Sequence, residues 1–366
     1  MRICLFPVLC FAAFSAMAAP PLLTQDFEQD DTGWVVFGGD GKIQVTHDPA
    51  LVKNGKGTME FRYESSGTKP ALAVLPVQKP LTGTKSLKLW VKSDADTAAA
   101  IALVEKDGGR YDANFWLEAN TWQRVELTPD DFILATGPHD PKDPDGKLDL
   151  DQLQAIALLD ASQLFATALG DAAAHIAVED RSGTHTMWVD DFEVSSTTPA
   201  WYAPQPRFLI DGFRAPQVNW ITMGGANLKI ESGKTLRIDC KQMPDHFVIA
   251  THMLPPMDLK SATHIAFDIA ADKPAHLVFV LQEKSDTSEG PRYHADVEVD
   301  GGGQPKHREL ALSGFELDDN GPPDPDHKLD LDKLKMFSIV NVTGAYTGED
   351  SINTIRIGKI EAVTHK

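Results

Sequence analysis

The chain has 366 residues and a net charge of −19, from 34 Lys and Arg against 53 Asp and Glu. Hydrophobic residues make up 42% of it, so the chain can bury real cores and the composition excludes wholesale disorder. The excess of acids repels phosphates and anionic lipid surfaces, so neither nucleic acid nor a membrane surface is an expected partner.

The first eighteen residues have the pattern of an export signal. A short basic start and an apolar run precede Ala16-Met17-Ala18, the small-x-small pattern of a cleavage site. We therefore expect a signal peptide over residues 1–18, with a buried N-terminal strand as the alternative. The apolar run is too short to span a bilayer and no second long run follows, so no membrane span is expected. The mature protein is predicted to be periplasmic or secreted.

Cleavage at that point would remove two of the three cysteines. Only Cys240 would remain, so the mature chain could form no internal disulfide and would depend on its packing or on a metal. Cys240 lies in the strand-like run 235–240, which predicts a small residue of a sheet rather than a nucleophile.

The first half of the chain alternates apolar and polar residues with a period of two. Strands are predicted over residues 59–63, 87–91, 101–104, 122–127 and 187–194. Turn-forming residues between them are typical of an all-β antiparallel sandwich of the jelly-roll type. One helix is predicted over residues 163–174, inside an insertion that the second half lacks.

The segment 110–116 contains a candidate ligand-binding row. Strict alternation places four side chains on one face of a predicted strand: Arg110, Asp112, Asn114 and Trp116. A pyranose ring can stack on an exposed Trp while guanidinium, amide and carboxylate groups bind its hydroxyls. The row therefore predicts a glycan site centred on an exposed Trp116, and the alternative is an ordinary solvent-facing strand.

Four other tryptophans lie in alternating apolar segments, which predicts that they are core residues. They are Trp34, Trp122, Trp188 and Trp220. The sugar platform is therefore expected at Trp116 rather than at any of these positions.

Residues 143–149 combine Asp, Pro and Gly in a way that suggests a calcium loop. An EF-hand alignment fails, because Pro141 would take the first position and Gln152 the twelfth, where Asp and Glu are needed. We expect a stiff loop in which Asp149 or Asp151 caps a short turn. A weak calcium site built on this loop is the alternative.

The second half of the chain repeats the first. Residues 147–153 recur as 328–334 with one difference, and Glu105-Lys106 recurs as Glu283-Lys284. This period is far too long for a solenoid and indicates a duplicated domain. A linker rich in Pro, Ser and Thr separates the copies. The predicted units are domain 1 (19–196), a linker (197–206) and domain 2 (207–366). The counterpart of the ligand row, Arg292, His294, Asp296 and Glu298, lacks an aromatic residue.

Acidic residues near both ends of the first copy predict a metal site. Pairing of the first and last strands would bring together Asp26, Glu28, Asp190 and Asp191, which repel one another unless a cation lies between them. Ca²⁺ prefers six to eight oxygen ligands. In the second copy Gly358 and Lys359 replace the acid pair, so structural calcium is expected in domain 1 only. The alternative is a set of solvated surface acids.

The first copy resembles a known family. It opens with Asp26-Phe-Glu and Gly33-Trp34, continues with strand 122–127 and residues 148–153, and closes with Trp188-Val-Asp-Asp. This order resembles carbohydrate-binding jelly rolls of the galactose-binding-like superfamily. It is similar to family-eleven carbohydrate-binding modules and to the related domain of complex I intermediate-associated proteins. The resemblance implies a non-catalytic sandwich with a concave face for a glycan, often with structural calcium at one edge.

Catalytic motifs are not evident in the sequence. It contains no Gly-rich phosphate loop, no Gly-x-Ser-x-Gly and no His-Glu-x-x-His. We therefore expect a non-catalytic protein whose partner is a glycan or polysaccharide. The first alternative is a structural or assembly factor of the cell envelope that binds envelope proteins through its sandwich faces. A jelly-roll polysaccharide lyase is less favoured, because alternation separates Tyr111 from Arg110 and Asn114.

Overall fold

The structure is a computed structural model. It describes residues 20–65, 69–136, 140–162, 182–202, 208–257, 259–285, 290–348 and 350–365. The predicted signal peptide, the predicted helix 163–174 and the end of the predicted linker lie outside the described residues. Within the described ranges, no helix is both long and apolar enough to cross a membrane.

Period-two segments of the sequence form the strands, which pair in antiparallel fashion. The first repeat contains β1 (Leu23–Gln25), β2 (Val35–Gly38), β3 (Gly41–Thr46), β4 (Thr58–Ser65), β5 (Ala71–Pro76), β6 (Ser86–Ser93), β7 (Thr97–Glu105), β8 (Arg110–Leu117), β9 (Gln123–Leu127), β10 (Ile133–Leu134), β11 (Leu153–Asp160) and β12 (Gly183–Ser195). The second contains β13 (Leu209–Asp211), β14 (Trp220–Met223), β15 (Ala226–Glu231), β16 (Thr235–Gln242), β17 (Val248–Met253), β18 (His264–Ala271), β19 (Ala275–Glu283), β20 (Arg292–Val299), β21 (Lys306–Ala311), β22 (Glu316–Leu317), β23 (Leu334–Asn341), β24 (Ser351–Ile357) and β25 (Ile360–Val363). Short helical turns span Pro129–Asp131, Leu312–Gly314 and Thr343–Thr347.

Each repeat is built from two sheets. In the first repeat, sheet A has the order β3-β4-β12-β6-β9, with β1 also on β12, and sheet B has the order β10-β8-β7-β11-β5-β2. In the second, sheet C has the order β15-β16-β24-β18-β25-β13, with β21 also on β18, and sheet D has the order β22-β20-β19-β23-β17-β14. The matching orders confirm the predicted fold of two tandem antiparallel sandwiches from a duplication.

The last strand of each repeat is interrupted at the same place. In β12 the register with β6 shifts between Asp190 and Glu193, and Asp191 has a positive φ of 47°. Such a bulge bends a strand and sharpens its twist. In the second repeat the break is complete, because β24 ends before Gly358 and β25 begins after Lys359. The predicted acid pair and its counterpart therefore both lie at a strand break.

Alternation along the strands decides which tryptophans enter the core. Trp34 and Trp220 are buried, as predicted. The prediction for Trp122 and Trp188 is wrong, because both are half-buried. On β12 the neighbours Met187 and Val189 fill the core, so alternation turns Trp188 to the outer face of sheet A.

Cys240 occupies the position that the sequence predicts. It lies on β16 and is buried, so the prediction of a small sheet residue is confirmed. Burial raises the pKa of its thiol to about 11. At neutral pH the group is therefore a thiol rather than the nucleophilic thiolate.

The two repeats pack directly on each other. The backbone N–H of Trp116 on β8 donates to the carbonyl of Val218, at 2.9 Å. The side-chain amide of Gln217 accepts from the N–H of Glu126 at 3.0 Å and donates to the Glu126 carbonyl at 3.2 Å. Trp116 also belongs to one apolar cluster with Trp220 of the second repeat. One end of the outer face of sheet B is therefore covered by the second repeat.

Candidate functional site

The predicted row on β8 exists, but one end of it is covered. Arg110, Asp112 and Asn114 are half-buried on the outer face, while the alternate residues enter the core. Trp116 lies on the predicted face, yet only 5% of it is exposed. The expectation of an exposed Trp116 is wrong because the second repeat packs over this end of the strand, and the indole N–H donates to Asn227 at 3.4 Å.

The rest of the row is engaged in ion pairs. The guanidinium of Arg110 lies 3.2 Å from Asp112 and 2.9 Å from Asp140. Burial raises the pKa of Asp112, which Arg110 partly offsets. The role of this row in glycan binding remains a prediction.

In the second repeat an aromatic residue lies beside the counterpart row, which sequence reasoning missed. Tyr346 belongs to the short helix Thr343–Thr347, is 70% exposed, and stacks on His276 with a centroid distance of 4.5 Å. The His276 ring lies 2.6 Å from Asp296 and 2.9 Å from Glu298. Strand alternation gave no signal for Tyr346, because the residue comes from a helix that follows β23.

The four acids predicted to bind calcium have other partners. Asp190 is buried, and one of its carboxylate oxygens accepts the backbone N–H groups of Lys53 and Asn54, at 3.1 and 3.0 Å. Its other oxygen accepts the N–H of Asp191 at 2.9 Å. Asp190 is therefore a hydrogen-bonded anchor for the loop that follows residue 52.

The same loop occupies a second predicted ligand. Glu28 accepts the backbone N–H of Lys56 at 2.8 Å, while Asp26 accepts the N–H of Glu28 at 3.2 Å. Among the described residues, the four acids do not form a group within common reach of one ion. Backbone N–H groups of the loop bind Asp190 and Glu28 in this structure, and the role of the four acids in calcium binding stays a prediction.

A different group of acids in the first repeat has the spacing of metal ligands. One carboxylate oxygen each from Glu105, Asp107 and Asp143 lies within 4.8 Å of the other two. Glu105 ends β7 and is fully buried, and burial raises the pKa of its carboxyl group to about 7. Asp143 belongs to the Pro- and Asp-rich loop, so the loop interpreted as a stiff element also contributes an acid to this group.

The second repeat contains a related buried acid, Glu283. Burial raises the pKa of its carboxyl group to about 7. The folded state therefore binds a proton on this carboxyl group more tightly than the unfolded chain does. The free energy of unfolding should rise as pH falls from 8 to 5. Glu283→Gln keeps an acceptor for the Asp330 N–H and has no charge to bury. We expect it to stabilise the protein at pH 8 by about 2 kcal/mol and to flatten the pH dependence. Urea unfolding of both proteins at pH 5 and pH 8 tests this, and an unchanged pH profile would contradict it.

The outer face of sheet A carries a group of aromatic residues, the tryptophan face: Trp90, Trp122 and Trp188. All three are half-buried, and Lys92, which is 7% exposed, lies between Trp122 and Trp188. The Lys92 ammonium lies 4.6 Å from the ring centroid of Trp188 and 5.4 Å from that of Trp122. Cation–π attraction holds the ammonium between the two indoles.

Strand register explains why these side chains meet. Trp188 on β12 is directly opposite Lys92 on β6, and Trp90 lies two residues earlier on the same face of β6. The cross-strand neighbour of Trp188 on the other side is Glu60, and that of Trp90 is Arg124. Indole rings and charged hydrogen-bonding groups therefore alternate across one sheet surface.

Two further polar contacts border this face. Gln44 on β3 donates to Glu60 at 3.0 Å, and the ammonium of Lys53 lies 4.1 Å from the ring centroid of Trp90. The indole N–H of Trp188 is buried and has no hydrogen-bond partner. The tryptophan face therefore offers both apolar ring surface and several donors and acceptors.

Several solved structures are similar to this chain, but no family model and no curated protein matches it. One similar structure is the family 11 carbohydrate-binding module from Clostridium thermocellum in complex with a β-1,3-1,4-mixed-linked tetrasaccharide. It is 21% identical, with a TM-score of 0.36, over 43% of this chain and 97% of that chain.

Two other similar structures contain family 22 modules. The CBM22-1–CBM22-2 tandem domain of Paenibacillus barcinonensis Xyn10C is 15% identical, with a TM-score of 0.31, over 96% of this chain and 100% of that one. The CBM22-1–GH10 modules of Clostridium thermocellum xylanase Xyn10B, complexed with xylohexaose, are 12% identical, with a TM-score of 0.31, over 48% and 28%. The fold assigned above rests on the sheet orders of this chain itself.

Proposed function

We propose that this protein binds a glycan on the tryptophan face of the first repeat and does not catalyse a reaction. The observation that supports this most is the presence of three half-buried indoles on one sheet surface that is not part of the core. A large aromatic side chain usually buries most of its area in a core or an interface. Three of them on an outer face, with charged groups between them, suit a ligand with apolar C–H faces and polar hydroxyls.

Polar side chains lie beside the indoles, where they are suited to bind the hydroxyl groups of such a ligand. Arg124 and Lys53 supply donors, and Glu60 supplies acceptors, all beside the rings. A pyranose that stacks on an indole directs its hydroxyl groups outward at the ring edge, where such side chains can bind them. The alternative site is the row on sheet B formed by Arg110, Asp112 and Asn114. Trp116 is not included in this site, because its side chain is buried.

We propose that the protein acts in the periplasm or outside the cell. The support for this location is the signal-like pattern of residues 1–18. Polysaccharides of the envelope or the surroundings are accessible there. We also propose that the first repeat takes up one structural calcium ion and the second takes up none.

A glycan array with residues 19–366 tests the proposed function, followed by calorimetric titration of a positive oligosaccharide into Trp122→Ala. Loss of one stacking ring should weaken binding by about 1–3 kcal/mol, or roughly tenfold to hundredfold, by analogy with base stacking on aromatic residues. Tyr346→Ala is the matched control, since it removes an exposed aromatic residue from the second repeat. A thermal melt of each variant confirms that it is folded.

Two results would contradict the proposal. An array without any binding glycan would exclude the function for the glycans tested. Equal affinity of Trp122→Ala and the wild type would exclude the tryptophan face as the site, and loss of binding in Tyr346→Ala would move the site to the second repeat.

A further inference from the structure

We propose that the calcium ion of the first repeat is bound by Glu105, Asp107 and Asp143. This inference rests on the proposed calcium uptake by the first repeat and is independent of glycan binding. It assigns the ion to residues at the end of β7 and in the loop before β11, away from the acids that the sequence analysis selected.

The first observation is a buried carboxylate oxygen without a partner. Glu105 is 0% exposed, and its Oε1 accepts the backbone N–H of Asp149. Its Oε2 is also buried but has no hydrogen-bond partner. Burial of an ionised oxygen without a donor or a cation is unfavourable by several kcal/mol. The neighbouring carboxylates of Asp107 and Asp143 are acceptors, so a cation between the three groups would satisfy this oxygen in its ionised form.

Gly109 leaves space for Glu105 Oε2, and hydrogen bonds fix the orientation of the neighbouring Asp143. A Cβ atom at Gly109 would lie only 2.2 Å from Glu105 Oε2, so the glycine allows the oxygen to occupy its position. Asp143 is oriented by two donors: the hydroxyl group of Tyr111 and the backbone N–H of Asp145, the latter at 3.0 Å. Each carboxylate oxygen has a further lone pair for a metal ion.

The second repeat keeps most of this arrangement. Glu283 is buried and accepts the backbone N–H of Asp330 at 2.6 Å. The hydroxyl group of Tyr293 donates to Asp324, as that of Tyr111 does to Asp143. The two copies are therefore built on the same frame of a glutamate, a tyrosine and a loop aspartate.

The copies differ in the residues around the buried glutamate. Glu105-Lys106 is followed by Asp107, whereas Glu283-Lys284 is followed by Ser285, and Lys333 stands where the first repeat has Gln152. The Lys333 ammonium lies 2.6 Å from Asp330. In the part of the chain that the structure describes, a group of three acids within reach of one ion occurs in the first repeat and not in the second.

The chemistry of the donors selects the kind of ion. All three side chains offer carboxylate oxygens, which are the ligands of hard cations such as Ca²⁺ and Mg²⁺. Neither sulfur nor imidazole is part of the group. Mg²⁺ demands near-ideal octahedral geometry and retains its waters, while Ca²⁺ accepts irregular loops with mixed carboxylate and carbonyl ligands. A site between a strand end and a Pro-rich loop therefore favours calcium.

The test is calorimetric titration of Ca²⁺ into chelator-treated residues 19–366, with thermal melts in calcium and in chelator. We expect one ion per chain and a melting temperature of the first repeat that rises with calcium. The double variant Asp107→Ser with Gln152→Lys removes one proposed ligand and introduces the lysine of the second repeat. It should bind no calcium and should have the same melting temperature in calcium and in chelator. Mg²⁺ is titrated in parallel and should bind at least about tenfold more weakly.

A control variant completes the design. Glu28→Gln alters one of the acids near the domain ends and should bind calcium as the wild type does. If the wild type binds no calcium, both the ion and its site are wrong. If the wild type binds calcium but the double variant binds it equally well, the protein binds calcium at a different site. The same conclusion follows if Glu28→Gln abolishes calcium binding.

Discussion

Trp116→Ala should destabilise the protein by about 3–5 kcal/mol, the usual penalty for removal of a large buried aromatic side chain. The indole lies at the junction between the repeats, in one apolar cluster with Trp220 and Phe213 of the second repeat. Its removal leaves a cavity on both sides of the junction and also removes the hydrogen bond to Asn227. The backbone contact with Val218 alone cannot compensate for this loss.

Urea unfolding followed by circular dichroism measures this effect. Phe37→Ala is the control, because Phe37 is 69% exposed, and substitution of an exposed side chain usually changes stability by about 0.5 kcal/mol or less. A loss below about 1 kcal/mol for Trp116→Ala would show that the repeats do not pack through this residue. It would also restore Trp116 as a candidate for the glycan site.

Asp190→Ala should destabilise the first repeat by about 2–4 kcal/mol, by the same amount in calcium and in chelator. The carboxylate accepts three backbone N–H groups, from Lys53, Asn54 and Asp191. Without this carboxylate, the three backbone N–H groups lose their acceptor, and the loop that follows residue 52 loses its attachment to β12. Because no ion takes part in these bonds, calcium should not change the difference from the wild type.

Asp191→Asn is the matched control for this experiment. Asp191 is exposed and accepts one bond from the Asn54 side chain, at 2.5 Å, and asparagine tolerates its positive φ of 47°, so this substitution should change stability by about 1 kcal/mol or less. Thermal melts of both variants, each with and without calcium, give the comparison. A penalty for Asp190→Ala that appears only in calcium would show that Asp190 is a calcium ligand after all.

Much of the fold could be predicted from local pattern. Alternation located strands such as β6 and β12, and the repeated segment 147–153 revealed the duplication. Both signals are read from neighbouring residues or from direct comparison within the chain. The same alternation gave the correct face for the β8 row.

The site was harder to predict because its surroundings come from distant parts of the chain. Alternation could place Trp116 on the outer face of β8, but not show that Val218 and its neighbours cover it. It could likewise not show that Asp143 returns to the end of β7 beside Glu105. One signal was available: the single difference between the repeated segments is Gln152 against Lys333, a change of charge beside the proposed metal-binding group.

The assignment of Trp122 and Trp188 to the core failed for a different reason. Both residues lie in apolar surroundings, and a period-two pattern in which both faces contain apolar residues does not specify which face is buried. Trp188 is held outward by its neighbours in β12, and Lys92 fills the space between the two indoles. An aromatic outer face and a core strand therefore have the same sequence pattern.

The most direct test of glycan binding on the tryptophan face is a nuclear magnetic resonance titration of the indole N–H signals. The chain has seven tryptophans, whose signals can be assigned by single Trp→Phe substitutions. With an oligosaccharide selected on the array, the signals of Trp90, Trp122 and Trp188 should shift with a common dissociation constant. Those of the buried Trp34 and Trp220 should remain unchanged. Saturable shifts confined to other tryptophans, with these three signals unmoved, would contradict the account.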